Sequence, residues 1–559
     1  MTASIPPFLV LILAGLVLPF SRGGARGVLL VLAPVTALAL VWLAPDGVNL
    51  RVAYLGYELT LTKVDALSRL FGTVFAGMAL AGGVFALNQP RTLELASAYC
   101  YAGAGIGVVF AGDLISLFIF WELMAIASTL VVVSAGPSAN GAALRYASIH
   151  FLGGVLLMAG IVGEISATGS IAFEAMALDS APRALMLIGF LINAGALPLS
   201  AWLPDAYPES SWSGMVFLSA FTTKAAVYAL IRGFPGVELL VYVGLFMVFY
   251  GIVYAILEND MRRILAYSIV NQVGFMVVGV GIGTEMTLNG AASHAFTHII
   301  YKALLLMSAG SVLYMTGKRK CTDLGGLFRT MPLTCICGIV GALSISSFPL
   351  TSGFVSKSMV SQGAADLHLT VVWYLLAAAS AGVFLHAGIK FPWFVFFHRD
   401  SGLRPDEPPW NMKLAMAVLS GLCIGLGVAP GVLYAMLPYP VDFVPYTASH
   451  VIFYLQLLLF SGLAFFLMLG WLKRTLTITL DVDWLWRGLG PTVFKALDGA
   501  TDRVWVLMTE GVARAGRSLV RGIHRHHGPD GTLSRTWPTG SMAFWTTVLL
   551  AMFLVLSYF

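Results

Sequence analysis

Apolar runs, each about as long as a membrane is thick, follow one another along almost the whole chain. A helix needs about 20 apolar residues to cross the hydrocarbon layer of a bilayer. Runs of that size lie near residues 4–21, 27–44, 66–87, 95–111, 114–134, 144–167, 184–203, 211–233, 237–257, 263–283, 288–315, 331–349, 369–398, 411–436, 448–472 and 541–558. Charged residues make up 11% of the 559 residues, against about 25% in soluble domains. The sequence therefore predicts an all-α, polytopic membrane protein of about 14 to 16 transmembrane helices.

Two segments interrupt this series of apolar runs. Residues 48–62 are polar and partly alternating, which predicts a short β-hairpin. The stretch 475–541 carries apolar residues at mostly helical spacing between charged ones, which predicts an amphipathic helix on the cytoplasmic membrane surface before a last span. These apolar residues are Trp484, Val493, Leu497, Val504 and Met508.

The excess of basic residues indicates membrane topology. A net charge of +5 would suggest nucleic acid as a partner of a soluble protein, but here Lys and Arg fall in short loops and a tail, so we expect no nucleic-acid partner. If the spans alternate, one side holds Arg22, Arg26, Arg145, Arg262, Arg263, Lys318, Arg319, Lys320, Lys473 and Arg474. The other side holds most of Glu164, Glu174, Asp179, Glu285 and Asp442. The basic side should be cytoplasmic, with the N-terminus outside.

Cysteine and histidine spacing gives no sign of a metal or redox centre. The five cysteines form no CxxC pair, and no His/Cys spacing suits zinc or an iron-sulfur cluster. We therefore expect no cofactor and no metal, and assign any redox chemistry to a partner protein.

Glu122 is a carboxylate inside the apolar run 114–133. An unpaired charge there costs about 2.5 to 3.5 kcal/mol on insertion scales, so Glu122 needs a partner. Lys224, in an equally apolar segment, is the predicted one, and two further buried bases, Lys302 and Lys390, follow it. Such a pair can move protons, because small movements change the balance between charge attraction and desolvation. A static ion pair that orients two helices is the alternative.

His294, His298 and Lys302 are spaced four residues apart and so share one helix face. Histidine both donates and accepts protons near neutral pH, which makes this row a candidate proton wire across the membrane. A metal pair and simple polar packing are the alternatives. Lys390 has its own alternative, which is snorkelling towards the membrane surface.

Two further ionisable residues have open roles. Lys357 is either a point of proton uptake or a lysine at the membrane rim. Asp205, between Pro204 and Pro208, either shapes a turn or takes part in proton uptake, and the turn is favoured.

A similarity between two segments of the chain predicts two inverted repeats with broken helices. Residues 196–205 resemble 347–357, and their prolines, Pro198 and Pro349, lie on spans that are five places apart, an odd offset that turns one repeat upside down. Pro392 should break the helix beside Lys390. The predicted organisation is N-terminal helices and hairpin at 1–90, a first repeat at 91–260, a second at 261–436, and a C-terminal region at 437–559 that comprises a span, the amphipathic helix and the last transmembrane helix.

Several motifs together carry a family resemblance. They are FWELM at 120–124, WLPDAYPES at 202–210, TKAAVYALIR at 223–232, ENDMRRILAYSIVNQVG at 258–274, the row His294, His298 and Lys302, and FPLTSGFVSK at 348–357. In combination they are similar to the antiporter-like subunits shared by Mrp cation/proton antiporters, respiratory complex I and membrane-bound hydrogenases. The D-type Mrp subunits are the most similar branch, because Tyr207 and Gln272 stand where complex I subunits often carry His, and Lys390 is not the Glu of one of those subunits.

This resemblance implies a function for the predicted buried residues. By the family pattern, protons pass along Glu122, Lys224, His294, His298, Lys302 and Lys390, and Lys390 exchanges them with one surface. The chain would then be a non-enzymatic subunit of a multisubunit Na⁺ (or K⁺)/H⁺ antiporter in a bacterial inner membrane, with other membrane subunits as its partners. The alternative is a proton-pumping membrane-arm subunit of a complex I-like dehydrogenase or hydrogenase.

Overall fold

Helices make up almost all of the regular structure. The structure is a computed structural model and describes residues 5–472, 481–529, 531–533 and 538–558. Within these residues, 13 helices are long and apolar enough to cross a membrane. Three shorter apolar helices, Pro7–Phe20, Ala181–Ala194 and Pro332–Ile345, accompany them. The predicted all-α, polytopic class is confirmed.

In the described residues, the N-terminal half consists of ten α-helices and one short β-hairpin, whose first strand is largely exposed. The helices are α1 Pro7–Val17, α2 Gly23–Leu43, α3 Ala66–Phe85, α4 Thr92–Phe110, α5 Leu114–Val133, α6 Asn140–Thr168, α7 Ala181–Ala194, α8 Trp202–Ala206, α9 Gly214–Leu218 and α10 Thr222–Gly233. The hairpin pairs β1 Gly47–Tyr54 with β2 Tyr57–Val64 in antiparallel register, as predicted. Its two-residue turn, Leu55 and Gly56, has positive φ at both positions, the conformation that matches the strand twist. The Thr60 amide donates to the Asp113 carboxylate over 2.6 Å, which fixes the hairpin beside the start of α5.

The remaining helices include the longest ones. They are α11 Leu239–Leu257, α12 Met261–Ile282, α13 Glu285–Thr316, α14 Pro332–Ile345, α15 Ser352–Asp366, α16 Thr370–Val383, α17 Trp410–Val428, α18 Gly431–Tyr434, α19 Ala448–Leu467, α20 Gly490–His527 and α21 Thr539–Tyr558. Helix α15 is absent from the predicted spans. Its serines and Lys357 lower its hydropathy, yet most of its side chains are buried. Burial among other helices, rather than contact with lipid, explains why hydropathy misses it.

The predicted prolines mark two interruptions in the helices. Pro198 lies between α7 and α8, and Pro349 lies between α14 and α15. A further break, at residues 219–221, separates α9 from α10. Pro392 behaves differently from the prediction. The helix does not break there but runs on to Phe397, and it takes a wider π-helical form at Phe384–Lys390 and Trp393–Phe397. A π-turn accommodates a residue without an N–H by moving the hydrogen bonds one residue further along.

By its internal contacts the chain forms two compact units, Met1–Asp483 and Trp484–Phe559. The second contains α20 and α21, and a helix is thus found where the amphipathic pattern predicted one. The four apolar residues of that pattern that lie in α20 share one of its faces. Its place on a membrane surface and the boundaries at 90, 260 and 436 stay predictions. Lys473 and Arg474 lie outside the described residues.

Candidate functional site

Two buried lysines lie at helix breaks, where backbone carbonyls are free to accept hydrogen bonds. Lys224, at the start of α10, donates from Nζ to the Ser219 carbonyl over 2.5 Å. Lys357, in α15, donates to the Ile345 carbonyl at the end of α14 over 2.9 Å. Both lysines are fully buried. The last carbonyls before a break have no partner within the helix, so each break supplies the acceptor that its lysine needs.

Lys357 is thus buried inside the protein rather than exposed at its surface. Its ammonium lies 4.7 Å from the centre of the Phe275 ring, in a cation–π contact. The alternative of a proton uptake point stays a prediction.

The other two lysines of the series are held in the same way. Lys302 of α13 donates to the Leu265 carbonyl over 3.1 Å and to the Ser268 hydroxyl over 2.8 Å, both on α12. Lys390 donates to the carbonyls of Ala255 over 3.1 Å, Ile256 over 2.5 Å and Glu258 over 2.5 Å, at the end of α11. With its side chain buried, Lys390 caps the C-terminus of α11. The alternative of snorkelling towards the membrane surface stays a prediction.

Glu122 and Lys224 do not form the predicted direct pair. Within the described residues, no ion pair joins them, and Glu122 Oε1 is buried without a hydrogen-bond partner. The carboxylate packs instead on α6 at Gly154, where a Cβ would collide with it. Lys224 is held by the Ser219 carbonyl, and the missing Cβ at Gly154 gives the carboxylate room to turn towards α6. The sequence could not predict this, because both causes depend on how the helices pack.

The histidine row lies on one face of α13, as the spacing predicts, and His294, His298 and Lys302 are all fully buried. The two imidazoles do not bond to each other, since their ring centres are 6.2 Å apart. Tyr301, which the sequence analysis missed, approaches both: its hydroxyl lies 3.3 Å from His294 Nε2, and its ring centre lies 5.2 Å from that of His298. Gln272 Oε1 accepts from the Tyr301 hydroxyl over 3.1 Å and lies 3.1 Å from His294 Nε2.

Several buried polar atoms of the core lack a hydrogen-bond partner among the described residues. Both ring nitrogens of His298 lack a hydrogen bond, as do polar atoms of Thr223, Ser344, Ser347 and Ser352. Leaving such a group unpaired costs about 1–3 kcal/mol, so proteins normally satisfy it with ordered water. The polar surroundings of the lysines and histidines thus have the chemistry of a hydrated interior.

Further ionisable residues of the core escaped the sequence analysis. His150 and His386 are fully buried, and each makes one hydrogen bond from Nδ1, to Asn193 Oδ1 and the Gly382 carbonyl. His386 lies four residues before Lys390, and that spacing was the available signal. Asp481 is buried where Tyr250 and Tyr267 donate to its carboxylate, over 2.7 and 2.5 Å. No helical spacing in the sequence could point to Asp481, because it lies outside the helices, after the last described helix of the first unit.

Asp205 forms part of a buried ion pair. Arg145 donates to its two carboxylate oxygens over 2.6 and 2.9 Å. This pair joins α6 to α8 and agrees with a structural role. A search of the described residues finds no group of three or more His, Cys, Asp or Glu that could hold a metal ion.

Comparison with known proteins identifies the family. Residues 111–384 match the family described as "NADH:quinone oxidoreductase/Mrp antiporter, TM". The chain is 32% identical over 341 residues to the D-type subunit of the Na⁺/H⁺ antiporter of Alkalihalophilus pseudofirmus, an alignment that covers 56% of this chain and 67% of the relative. The chain belongs to this family of membrane subunits.

Two solved structures share the fold at 22% sequence identity. A chain of the Mrp complex from Dietzia sp. DQ12-45-1b superposes with a TM-score of 0.70 over 78% of this chain and 96% of that one. A chain of the membrane-bound sulfane sulfur reductase, an archaeal respiratory membrane complex, superposes with a TM-score of 0.71 over 98% of this chain and 99% of that one. The protein is thus a multi-pass member of the NADH:quinone oxidoreductase/Mrp antiporter family.

Proposed function

We propose that the chain is the proton-translocating subunit of a multisubunit Mrp-type antiporter that exchanges Na⁺ for H⁺. Protons pass along Glu122, Lys224, His294, His298, Lys302 and Lys390. In this proposal the chain moves protons and a second subunit binds the cation.

The observation that carries this proposal is the way the buried lysines are held. Lys224, Lys302 and Lys390 donate to carbonyl or hydroxyl oxygens, and none of them makes an ion pair within the described part of the chain. A neutral amine and an ammonium can both donate to such oxygens. Lys224 and Lys302 can therefore lose and regain a proton without losing their hydrogen bonds. A neutral Lys390 amine, with two N–H donors, would keep two of its three.

Glu122 has a switching role in this proposal. Its carboxylate rests against Gly154 in the present conformation, away from Lys224. A rotation towards Lys224 would stabilise the ammonium, and a rotation back would release its proton. The conformation described here corresponds to the separated state of the two groups.

The proposal is tested by the dissipation of a pH gradient in inverted vesicles from cells that express the chain with its neighbouring subunits. Addition of NaCl or KCl should dissipate the gradient in the wild type, and Glu122→Gln should lose at least nine-tenths of that response, on the order of the losses that follow removal of a proton-transfer group. Glu58→Gln, in the exposed hairpin, is the matched control. An absence of any salt response in the wild type would contradict antiport.

A second candidate function has support from the extent of the structural match. The chain of the respiratory reductase aligns with nearly all of this chain, whereas the Mrp chain leaves about a fifth unmatched. A proton-pumping membrane-arm subunit of a redox enzyme would use the same buried residues. Substrate-driven acidification of the vesicles that requires redox partners, without a response to Na⁺ or K⁺, would establish this second function.

The proposed setting is a bacterial inner membrane with the N-terminus outside. The start of α6 with Arg145, the start of α12 with Arg262 and the loop with Arg319 then face the cytoplasm, following the positive-inside rule. The partners are the other hydrophobic subunits of the antiporter complex. Labelling of a cysteine introduced at Ser21 and at Ser170, in opposite loops, by a membrane-impermeant maleimide would test the orientation.

A further inference from the structure

The proposed relay contains no group that can pass a proton between its last two lysines, Lys302 and Lys390. Lys302 is anchored on α12, at Leu265 and Ser268, whereas Lys390 is anchored at the end of α11. The two ammonium groups share no acceptor among the described residues. An ammonium has three donors and no acceptor, so one charged lysine cannot take a proton from another. A proton that leaves Lys302 for Lys390 needs a group between them that can accept it.

His386 lies in a helical segment that packs against both of the helices to which these lysines are anchored. It is fully buried in the π-helical segment Phe384–Lys390, which packs against both α11 and α12. It precedes Lys390 by four residues, close to one turn of this wide helix, so the two side chains leave the helix on nearly the same face. The titratable groups whose charges act on its ring are Lys302, Lys390 and Lys357.

The hydrogen bonds of His386 fix its neutral tautomer. Nδ1 lies 2.9 Å from the carbonyl oxygen of Gly382, which can only accept, so Nδ1 carries the proton. Nε2 then bears a lone pair, and it is buried without any hydrogen-bond partner. An imidazole that serves only as packing gives this base no partner among the described residues. Lys302 and Lys390, whose charges act on this ring, are groups that can exchange a proton with Nε2.

We propose that His386 carries protons between Lys302 and Lys390, with Nε2 as the accepting atom. This inference rests on the proposed proton translocation and adds a residue to it. The ammonium of Lys302 gives a proton to Nε2, which leaves a neutral amine and an imidazolium. The imidazolium then gives the same proton from Nε2 to the neutral amine of Lys390. The Nδ1–H bond to Gly382 stays in place throughout and holds the ring.

His386→Asn separates this role from a structural one. The asparagine amide can still donate to the Gly382 carbonyl from near the position of Nδ1, but it cannot be protonated at neutral pH. We expect His386→Asn to assemble with an unchanged Tm and to lose proton flux about tenfold or more in the vesicle assay. His368→Asn is the control, because His368 lies in an exposed turn with φ of +55° that asparagine tolerates.

A second variant keeps the test decisive if His386→Asn misfolds. His386→Gln places an amide near the position of Nε2 and should also lose flux. Wild-type flux in a folded Asn or Gln variant would overturn the inference. Flux that is lost in Glu122→Gln but kept in His386→Asn would reject His386 alone. Wild-type vesicles without proton flux, whether driven by salt or by a redox substrate, would reject the proposed translocation itself, and the role of His386 with it.

Discussion

Arg145 and Asp205 contribute to stability through geometry as well as charge. The guanidinium meets both carboxylate oxygens, and the Asp205 side chain is 3% exposed while that of Arg145 is 31% exposed. Two parallel charge-assisted bonds are the strongest arrangement that these groups can form. Removing one charge leaves the other partly buried and unpaired, which costs more than the pair itself contributes.

Asp205→Asn should therefore lower the free energy of unfolding by about 3 kcal/mol. A thermal unfolding scan in detergent should show a fall in Tm of several degrees. The matched control is Glu58→Gln, which removes the exposed pair with Arg51 and should change stability by about 0.5 kcal/mol or less. An equal fall in Tm for the two variants would show that the Arg145–Asp205 pair stabilises the protein no more than the exposed pair does.

Asp65 ties a helix start to a neighbouring helix. Its carboxylate accepts from the Ser68 amide over 2.9 Å and from Arg232 over 2.7 Å. Burial raises the pKa of the Asp65 carboxyl, but the Arg232 guanidinium and the Ser68 hydrogen bonds outweigh it, and the pKa lies below its usual value. The stability from this group is therefore complete above the pKa of an unfolded aspartate. It is lost as the pH falls through the lower pKa of the folded state.

The Tm of the wild type should consequently fall more steeply than that of Asp65→Asn as the pH drops from about 5 to 2. At neutral pH, Asp65→Asn should be the less stable protein, because its amide keeps a weaker cap and loses the charge. Scans at a series of pH values in one detergent measure both effects. Asp46→Asn serves as the control, since Asp46 pairs with Arg69 at an exposed position. Parallel curves for the wild type and Asp65→Asn would contradict the assignment.

At the scale of elements, α11 and α12 pack with direct contact between their backbones. A Cβ added to Gly244 would lie 2.7 Å from the Gly274 carbonyl oxygen, and a Cβ on Gly274 would lie 2.7 Å from that of Gly244. Small residues at such a crossing let membrane helices approach closely. This crossing also sets the distance between the anchors of Lys302 on α12 and Lys390 on α11.

Gly244→Ala should separate the two helices and destabilise the protein by about 1–3 kcal/mol. The measurement is again Tm in detergent, together with proton flux, which should fall because the two anchors move apart. Gly421→Ala in α17 is the control, because no atom lies within 4 Å of its added methyl. Alanine also favours a helix over glycine, so this control should keep or slightly raise Tm. An unchanged Tm for Gly244→Ala would show that α11 and α12 can move apart at this crossing without loss of stability.

At the scale of the whole molecule, the first unit holds the core. Residues Met1–Asp483 contain every buried lysine and histidine of the proposed relay. The helices α20 and α21 of the second unit have no buried side chains. Asp481, bonded to Tyr250 and Tyr267, lies just before the second unit begins and holds the end of the first.

Truncation after Asp483 should therefore leave a folded protein. We expect it to insert into membranes, elute as one symmetrical peak in detergent and keep a Tm close to that of the full chain. Truncation after Ser461, inside α19, is the comparison, because it removes the buried Phe465 and Asp481 and should lower Tm. Aggregation of the longer truncation would show that the second unit is needed for folding.

The sequence predicts the fold where a local pattern decides the structure. Apolar length located the spans, and alternation located the hairpin. Pro198 and Pro349, which were placed on spans, lie at two breaks between helices. Prediction failed where packing decides. Helix α15 is too polar to be recognised by hydropathy, and Pro392 lies between two π-helical segments of a helix that continues past it.

The same division holds for the site. The four-residue spacing correctly placed His294, His298 and Lys302 on one face. The prediction that Glu122 pairs with Lys224 was wrong, because the position of the Glu122 carboxylate depends on the missing Cβ of Gly154 in another helix. The acceptors of the lysines are backbone carbonyls, and these carry no signature in the sequence.

The choice of carbonyl oxygens as acceptors also restricts how this interior can evolve. Every buried amine of the series points at an atom of partial negative charge, such as the Ser219, Leu265, Ile345 or Ala255 oxygen. An ionised glutamate in place of any of these lysines would meet electrostatic repulsion from the main chain itself, so an acid could use the same oxygens only in its protonated form, as a donor. The backbone thus favours a hydrogen-bond donor at each of these positions.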